Sequence, residues 1–80
     1  MLFIEYDPDA EAIFVRFSEL GADSVAGVRV LDDRRNLHLA HGGEVVGVEF
    51  LDVRSGIALD GVPRADEIAA ALAAFPRLAA

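Results

Sequence analysis

Tyr6-Asp7-Pro8-Asp9-Ala10-Glu11-Ala12-Ile13-Phe14-Val15-Arg16-Phe17 reads as a tight turn feeding a strand, and Gly43-Glu44-Val45-Val46-Gly47-Val48-Glu49-Phe50-Leu51-Asp52 has the same character downstream. Pro8 presets φ for the second turn position, and the Asp7 carboxylate can bond the backbone two residues on. Leu2, Ile4 and Tyr6 alternate on one side of this turn and Ile13, Val15 and Phe17 on the other, so the six share one face of a hairpin. Ser18 to Ser24, with Gly21, reads as a longer connection.

Two further turns extend the same face. If Gly42-Gly43 is a two-residue hairpin loop, His41 pairs with Glu44, Leu39 with Val46 and Leu37 with Val48. If Asp33-Arg34 centres the preceding turn, Val30 faces Leu37 and Val28 faces Leu39. The pattern predicts an α+β fold: an antiparallel β-meander of about five strands near 2–6, 12–17, 25–32, 36–41 and 45–51, followed by one C-terminal helix. Residues 1–80 form a single small domain, with a β region over 1–52, a connector over 53–63 and a helix within 64–76. That helix starts near Pro63, where a missing N–H is harmless, and carries Asp66 and Glu67 in its first turn. It runs over 64–75 because Pro76 disfavours helical geometry at Phe75. Its apolar stripe is Ala65, Ile68, Leu72 and Phe75.

Sizes then raise a question of cover. Five strands span roughly 20–24 Å, whereas one helix with its side chains spans about 10 Å. The second sheet face is expected to carry Phe3, Phe14, Val45 and Leu51, more apolar surface than a solitary domain usually exposes. Either the sheet curls into a barrel-like form or a second copy covers it.

Composition narrows the classes. A chain of 80 residues buries only about 60–65% of its unfolded surface, and without cysteine it has neither disulfides nor thiolate-bound zinc to compensate. Self-association, as a homodimer or larger, is the expected supplement. A formal charge of −7, with seven Arg and no Lys scattered along the chain, argues against direct nucleic-acid binding and allows a small basic protein partner. No apolar run approaches the roughly 18 residues of a membrane span. With no cysteines and no leader-like start, a cytoplasmic location is expected.

Tyr6-Asp7-Pro8, Ala12-Ile13-Phe14-Val15-Arg16-Phe17 and Gly47-Val48-Glu49-Phe50-Leu51-Asp52 together resemble the family of short prokaryotic proteins catalogued as domain of unknown function 2283. The likeness covers the first two thirds of the chain. Glu11 stands where the family more often has aspartate, and Val48 where it more often has isoleucine. The resemblance implies a small β-rich domain and leaves activity undefined.

Few residues carry chemistry. Asp7, Asp9 and Glu11 have the opening spacing of a calcium loop, but Ala12 and Ser18 stand where its glycine and bidentate glutamate belong. His38 and His41, three apart on a strand, point to opposite faces and cannot chelate one ion. The expected register places Arg29, Asn36, His38 and Glu49 in one polar cluster on the second face, beside a dent at Gly47 that could take a small ligand. Ser18, Ser24 and Ser55 sit in no nucleophile context, and no catalytic, metal-binding or cofactor-binding residue is assigned. Two functions follow: a non-catalytic homo-oligomeric interaction module, antitoxin-like or an accessory subunit, or else a small-ligand-binding protein or minor enzyme using the cluster.

Overall fold

The structure, a computed structural model, describes residues 2–17 and 25–74. Its strands are β1 Phe3–Asp7, β2 Ala12–Arg16, β3 Gly27–Asp32, β4 Arg35–Leu39 and β5 Val45–Phe50. A short 3-10 turn, Val53–Ser55, and one helix, α1 Ala65–Ala73, complete it. The expected α+β architecture is present: one antiparallel sheet, ordered β1-β2-β5-β4-β3, followed by one helix. β3, β4 and β5 form a meander, and the β1–β2 hairpin joins its free side through β2 on β5. The sheet is open, with β1 and β3 at its edges, so it does not close into a barrel. The 18–24 connection lies outside the described residues, as do Phe75 and Pro76; the helix ends at Ala73, two residues short of the expected stop.

The first turn works as its sequence predicts. Asp7 Oδ1 accepts the N–H of Asp9 at 3.0 Å and of Ala10 at 3.2 Å, and Asp7 pairs with Ala12 across the turn. Beside each of the other two turns the pairing shifts by one residue at a bulge.

At Gly42-Gly43 the loop has three residues, not two. Gly43 N–H bonds Ala40 C=O, Ala40 N–H bonds Glu44 C=O, and Gly43 takes φ +89°. Leu39 consequently pairs with Val45 rather than Val46, and the register then shifts so that Leu37 does face Val48. Val45 therefore packs against the core, not on the second face.

At Asp33-Arg34 the two-residue turn is correct, with Asp32 opposite Arg35, but the register shifts between Val30 and Asp32. Arg29 then faces Leu37, while Val28 and Val30 face His38 and Asn36. The valines are thus on the outer face, contrary to the simple alternation, and Leu31 turns to the core in their place.

Ile13, Val15, Leu37, Val48 and Phe50 form the buried centre of the inner face, packed with Val53, Val62 and Ile68. The helix alone does not cover them. Val53 and Val62 from the connector are buried in the cluster, and Ile57 and Leu59 pack at its margin. Two arginines of the β3–β4 turn hold this connector in place. Arg34 Nη2 donates to Asp52 C=O at 3.2 Å and Gly56 C=O at 2.7 Å, and Arg35 Nη1 donates to Ala58 and Asp60 C=O at 3.1 and 2.5 Å. Asp32 fixes Arg35 by a two-pronged contact at 3.0 and 2.8 Å.

The helix begins one residue after Arg64, whose C=O accepts the Ile68 N–H and whose backbone is left-handed at φ 58°. Pro63 precedes the helix rather than opening it. Bidentate bonds from Arg64 to Glu67 and a 4.8 Å approach of its guanidinium to the Phe17 ring hold this strained position. Ile68 is buried and Leu72 partly so, matching the expected stripe. Among the described residues no helix is long and apolar enough to cross a membrane.

The Asp32–Arg35 contact makes stability depend on pH. The Arg35 guanidinium, aided by the Arg34 N–H, holds the Asp32 carboxyl below its ordinary value. A carboxyl depressed in the folded state contributes stability that is complete above its unfolded value and lost as pH falls through the folded one. Asp32→Asn is expected to lower the urea midpoint at pH 7 and to make the decline below about pH 4 less steep. An unchanged midpoint and slope would show that the contact contributes nothing.

Candidate functional site

The outer sheet face is the one the helix and connector leave open. Strand register lays two rows across it: Glu5, Phe14, Glu49, Asn36 and Val30 in one, and Phe3, Arg16, Gly47, His38 and Val28 in the next. Polar side chains hold the middle of these rows; both end in valine at β3, while at β1 one ends in Glu5 and the other in Phe3.

Gly47 organises the centre. A Cβ at this position would stand 2.8 Å from the Val15 carbonyl oxygen and 3.1 Å from the Phe14 ring. The Phe14 ring therefore fills the dent that a glycine leaves in a strand. It meets the His38 ring edge-on, with centroids 4.5 Å apart and planes at 84°.

Glu49 is the polar hub. Its Oε1 accepts a hydrogen bond from Asn36 Nδ2 at 3.1 Å and lies 3.8 Å from His38 Nε2, too far for a hydrogen bond. The His38 side chain is 16% exposed, and Nε2 has no hydrogen-bond partner. Toward β1, Arg16 pairs with Glu5 at 2.8 Å and its guanidinium lies 5.8 Å from the Phe3 ring centre.

Asn36, His38 and Glu49 are brought together. Arg29 is not, because the bulge at Leu31 puts it on the inner side, opposite Leu37. Gly47 offers no ligand dent either, since Phe14 occupies it. Beside the cluster lies an open hollow of about 330 Å³, whose lining includes Glu5, Asp7, Ala12, Phe14, Glu49 and Leu51. Sequence reasoning did not anticipate Phe14 as the cover of Gly47, although a glycine inside a strand, diagonal to an aromatic on the neighbouring strand, is the signal for such packing.

A histidine beside a carboxylate can pass a proton, yet chemistry needs a third group on which to act. Ser55, the one serine among the described residues, belongs to the 3-10 turn rather than to this face. Asp7 already caps its own turn, and His41 is exposed in the β4–β5 loop. Among the described residues no three His, Asp or Glu side chains stand together as a metal set.

Two outcomes follow from this geometry. Gly47→Ala is expected to cost about 1–3 kcal/mol in chemical denaturation, because the added methyl meets a carbonyl oxygen and a packed ring. A midpoint equal to wild type would mean that β2 shifts freely. Calorimetric titration with zinc or calcium at neutral pH is expected to give no tight binding. Sub-micromolar affinity for either ion would overturn that expectation.

The family model described as Protein of unknown function (DUF2283) matches residues 4–54, from β1 through the 3-10 turn. The chain belongs to this family. Apart from Phe3, the matched region holds all five strands and both rows of the outer face, and it ends before the helix. No curated protein and no solved structure matches the chain.

Proposed function

We propose that the chain is a non-catalytic interaction module that works as a homodimer or larger homo-oligomer in the cytoplasm, with a second copy closing its outer sheet face. The observation that carries this is the uncovered face itself: Phe3, Phe14, Val28 and Val30 stand on it around a polar centre that, among the described residues, has no catalytic partner group. A core centred on five inner-face residues, in a chain with no cysteine, has little stability to spare, and burying this face would add to it.

A basic protein as a further partner, in an antitoxin-like or accessory role, has specific support in the hollow near β1. Glu5, Asp7 and Glu49 border it while Phe14 and Leu51 line it, a combination suited to a lysine or arginine side chain with its aliphatic stem on the apolar wall. Small-molecule binding at the Asn36, His38 and Glu49 cluster has less support, because Phe14 fills the space beside it.

Light scattering coupled to size exclusion, over a roughly hundredfold dilution, tests the homo-oligomer. Wild type is expected to have a mass above one chain that falls on dilution. Phe14→Glu and, separately, Leu51→Glu should dissociate it and lower its melting temperature. A one-chain mass at every concentration, with unchanged melting in both variants, would refute the proposal.

A further inference from the structure

The hydrogen bonds of β4 decide which way the backbone of β3 points. Arg34 C=O accepts the Leu51 N–H at 2.8 Å, and Ala40 N–H donates to Glu44 C=O at 2.9 Å, both toward β5. Backbone polar groups alternate sides along an antiparallel strand, so Leu37 and Leu39 serve β3. Their partners there are Arg29 and Gly27. The N–H and C=O groups of Val28 and Val30 are therefore directed out of the sheet edge. The same two residues are 53% and 67% exposed, the only large hydrophobics so exposed among the described residues.

We propose that β3 is a self-association edge, distinct from the outer face: β3 of a second copy pairs antiparallel with it about a two-fold axis, Val28 of each opposite Val30 of the other. This register uses every outward backbone group of the pair, about four hydrogen bonds, and sets two Val–Val contacts on the outer face. The two sheets become one continuous sheet, closed by symmetry.

Self-pairing fits this edge better than other occupants. The outward residues are two apart and identical in kind, so the edge is complementary to itself. β3 has no proline and no lysine, and a Cβ at Gly27 would meet nothing within 4 Å; the guards it carries are the bulge at Leu31, just beyond the Val28–Val30 stretch, and the inner-side charge of Arg29. Pairing β3 with β1 of another copy would be head-to-tail and would grow without closing. Glu5 and Asp7 on β1 guard that edge.

One residue opposes the pairing. Arg29 lies opposite its own copy across the axis, on the inner side. Among the described residues it is the one arginine with no ion pair or hydrogen bond, whereas Arg16, Arg34, Arg35, Arg54 and Arg64 each have partners. Like charges directly opposite weaken a strand pair, and salt screens them. The pairing should strengthen as salt rises, and Arg29→Thr should tighten it roughly two- to fivefold at low salt. An edge contact is small, so it forms only at high protein concentration unless the face contact supports it.

The decisive variant is Val30→Pro. It removes an N–H that no bond inside the chain uses, and proline is tolerated on the outer side of an edge strand. Sedimentation velocity on the full chain, at about 0.05 and 0.5 M salt, is combined with amide exchange at low and high protein concentration. Wild type is expected to show an association step favoured by salt, with the Val28 and Val30 amides protected only at high concentration. Val30→Pro should lose that step while keeping Val15 and Val48 protected, and Phe14→Glu should retain it, which separates the edge from the face. If Val30→Pro does not fold, Val28→Lys with Val30→Lys keeps every N–H and should abolish the same step by repulsion. Unaltered association in the edge variants, Val28 and Val30 amides that exchange freely in the assembled protein, or assembly that grows without limit would each overturn the proposal.

Discussion

Strand β5 is hydrogen-bonded along both sides, to β2 on one and to β4 on the other, and the rest of the fold depends on that double saturation. Neither the β1–β2 hairpin nor the β3–β4 hairpin can bury its apolar side alone, since a two-stranded ribbon is marginal in water. β5 brings Ile13 and Val15 beside Val48 and Phe50 on one flank and Leu37 on the other, which turns two ribbons into one buried layer. The glycine at its centre is part of the same device. With no side chain at Gly47, the outer surface of β5 is low enough for Phe14 to lie across it and reach His38.

The arginines show how an acidic chain spends its few cations. Arg34 and Arg35 reach four connector carbonyls between them, and these bonds hold Val53 and Val62 over the core that one helix is too narrow to cover. Arg64 fixes the strained start of the helix, and Arg16 and Arg54 tie carboxylates on and beside the first hairpin. Guanidinium suits these tasks, because its planar fork can serve several acceptors at once where an ammonium acts as a point charge. The use of arginine to the exclusion of lysine is consistent with that division of labour.

Most of the strand plan was legible, because period-2 alternation and turn chemistry agree along the chain. Asp7-Pro8 closed the first hairpin as expected, and Leu37 does pair with Val48, although the loop at Gly42-Gly43 is one residue longer than expected and a bulge restores the register. Two bulges were not foreseen, and each moved one residue group to the other face. Arg29 left the expected cluster, Val28 and Val30 took positions beside His38 and Asn36, and Val45 joined the core. Each bulge falls where two large aliphatics are adjacent, Val30-Leu31 and Val45-Val46. Strict alternation cannot bury both members of such a pair, so the doubled aliphatic was the available sign. The connector's part in covering the core was less visible. It depends on side chain to carbonyl bonds that leave no periodicity in the sequence.

The order of the strands also has a consequence for synthesis. β2 is made early, but the strand that bonds its inner edge, from Ile13 against Phe50 to Arg16 against Gly47, is the last of the five to leave the ribosome. The β3–β5 meander closes through short loops, whereas docking the first hairpin closes a much longer one and must wait. Until then the nascent chain carries an unpaired β2 edge bearing Ile13 and Val15. The interval between translating β2 and translating β5 is the period in which this protein is most exposed to pairing with the wrong strand.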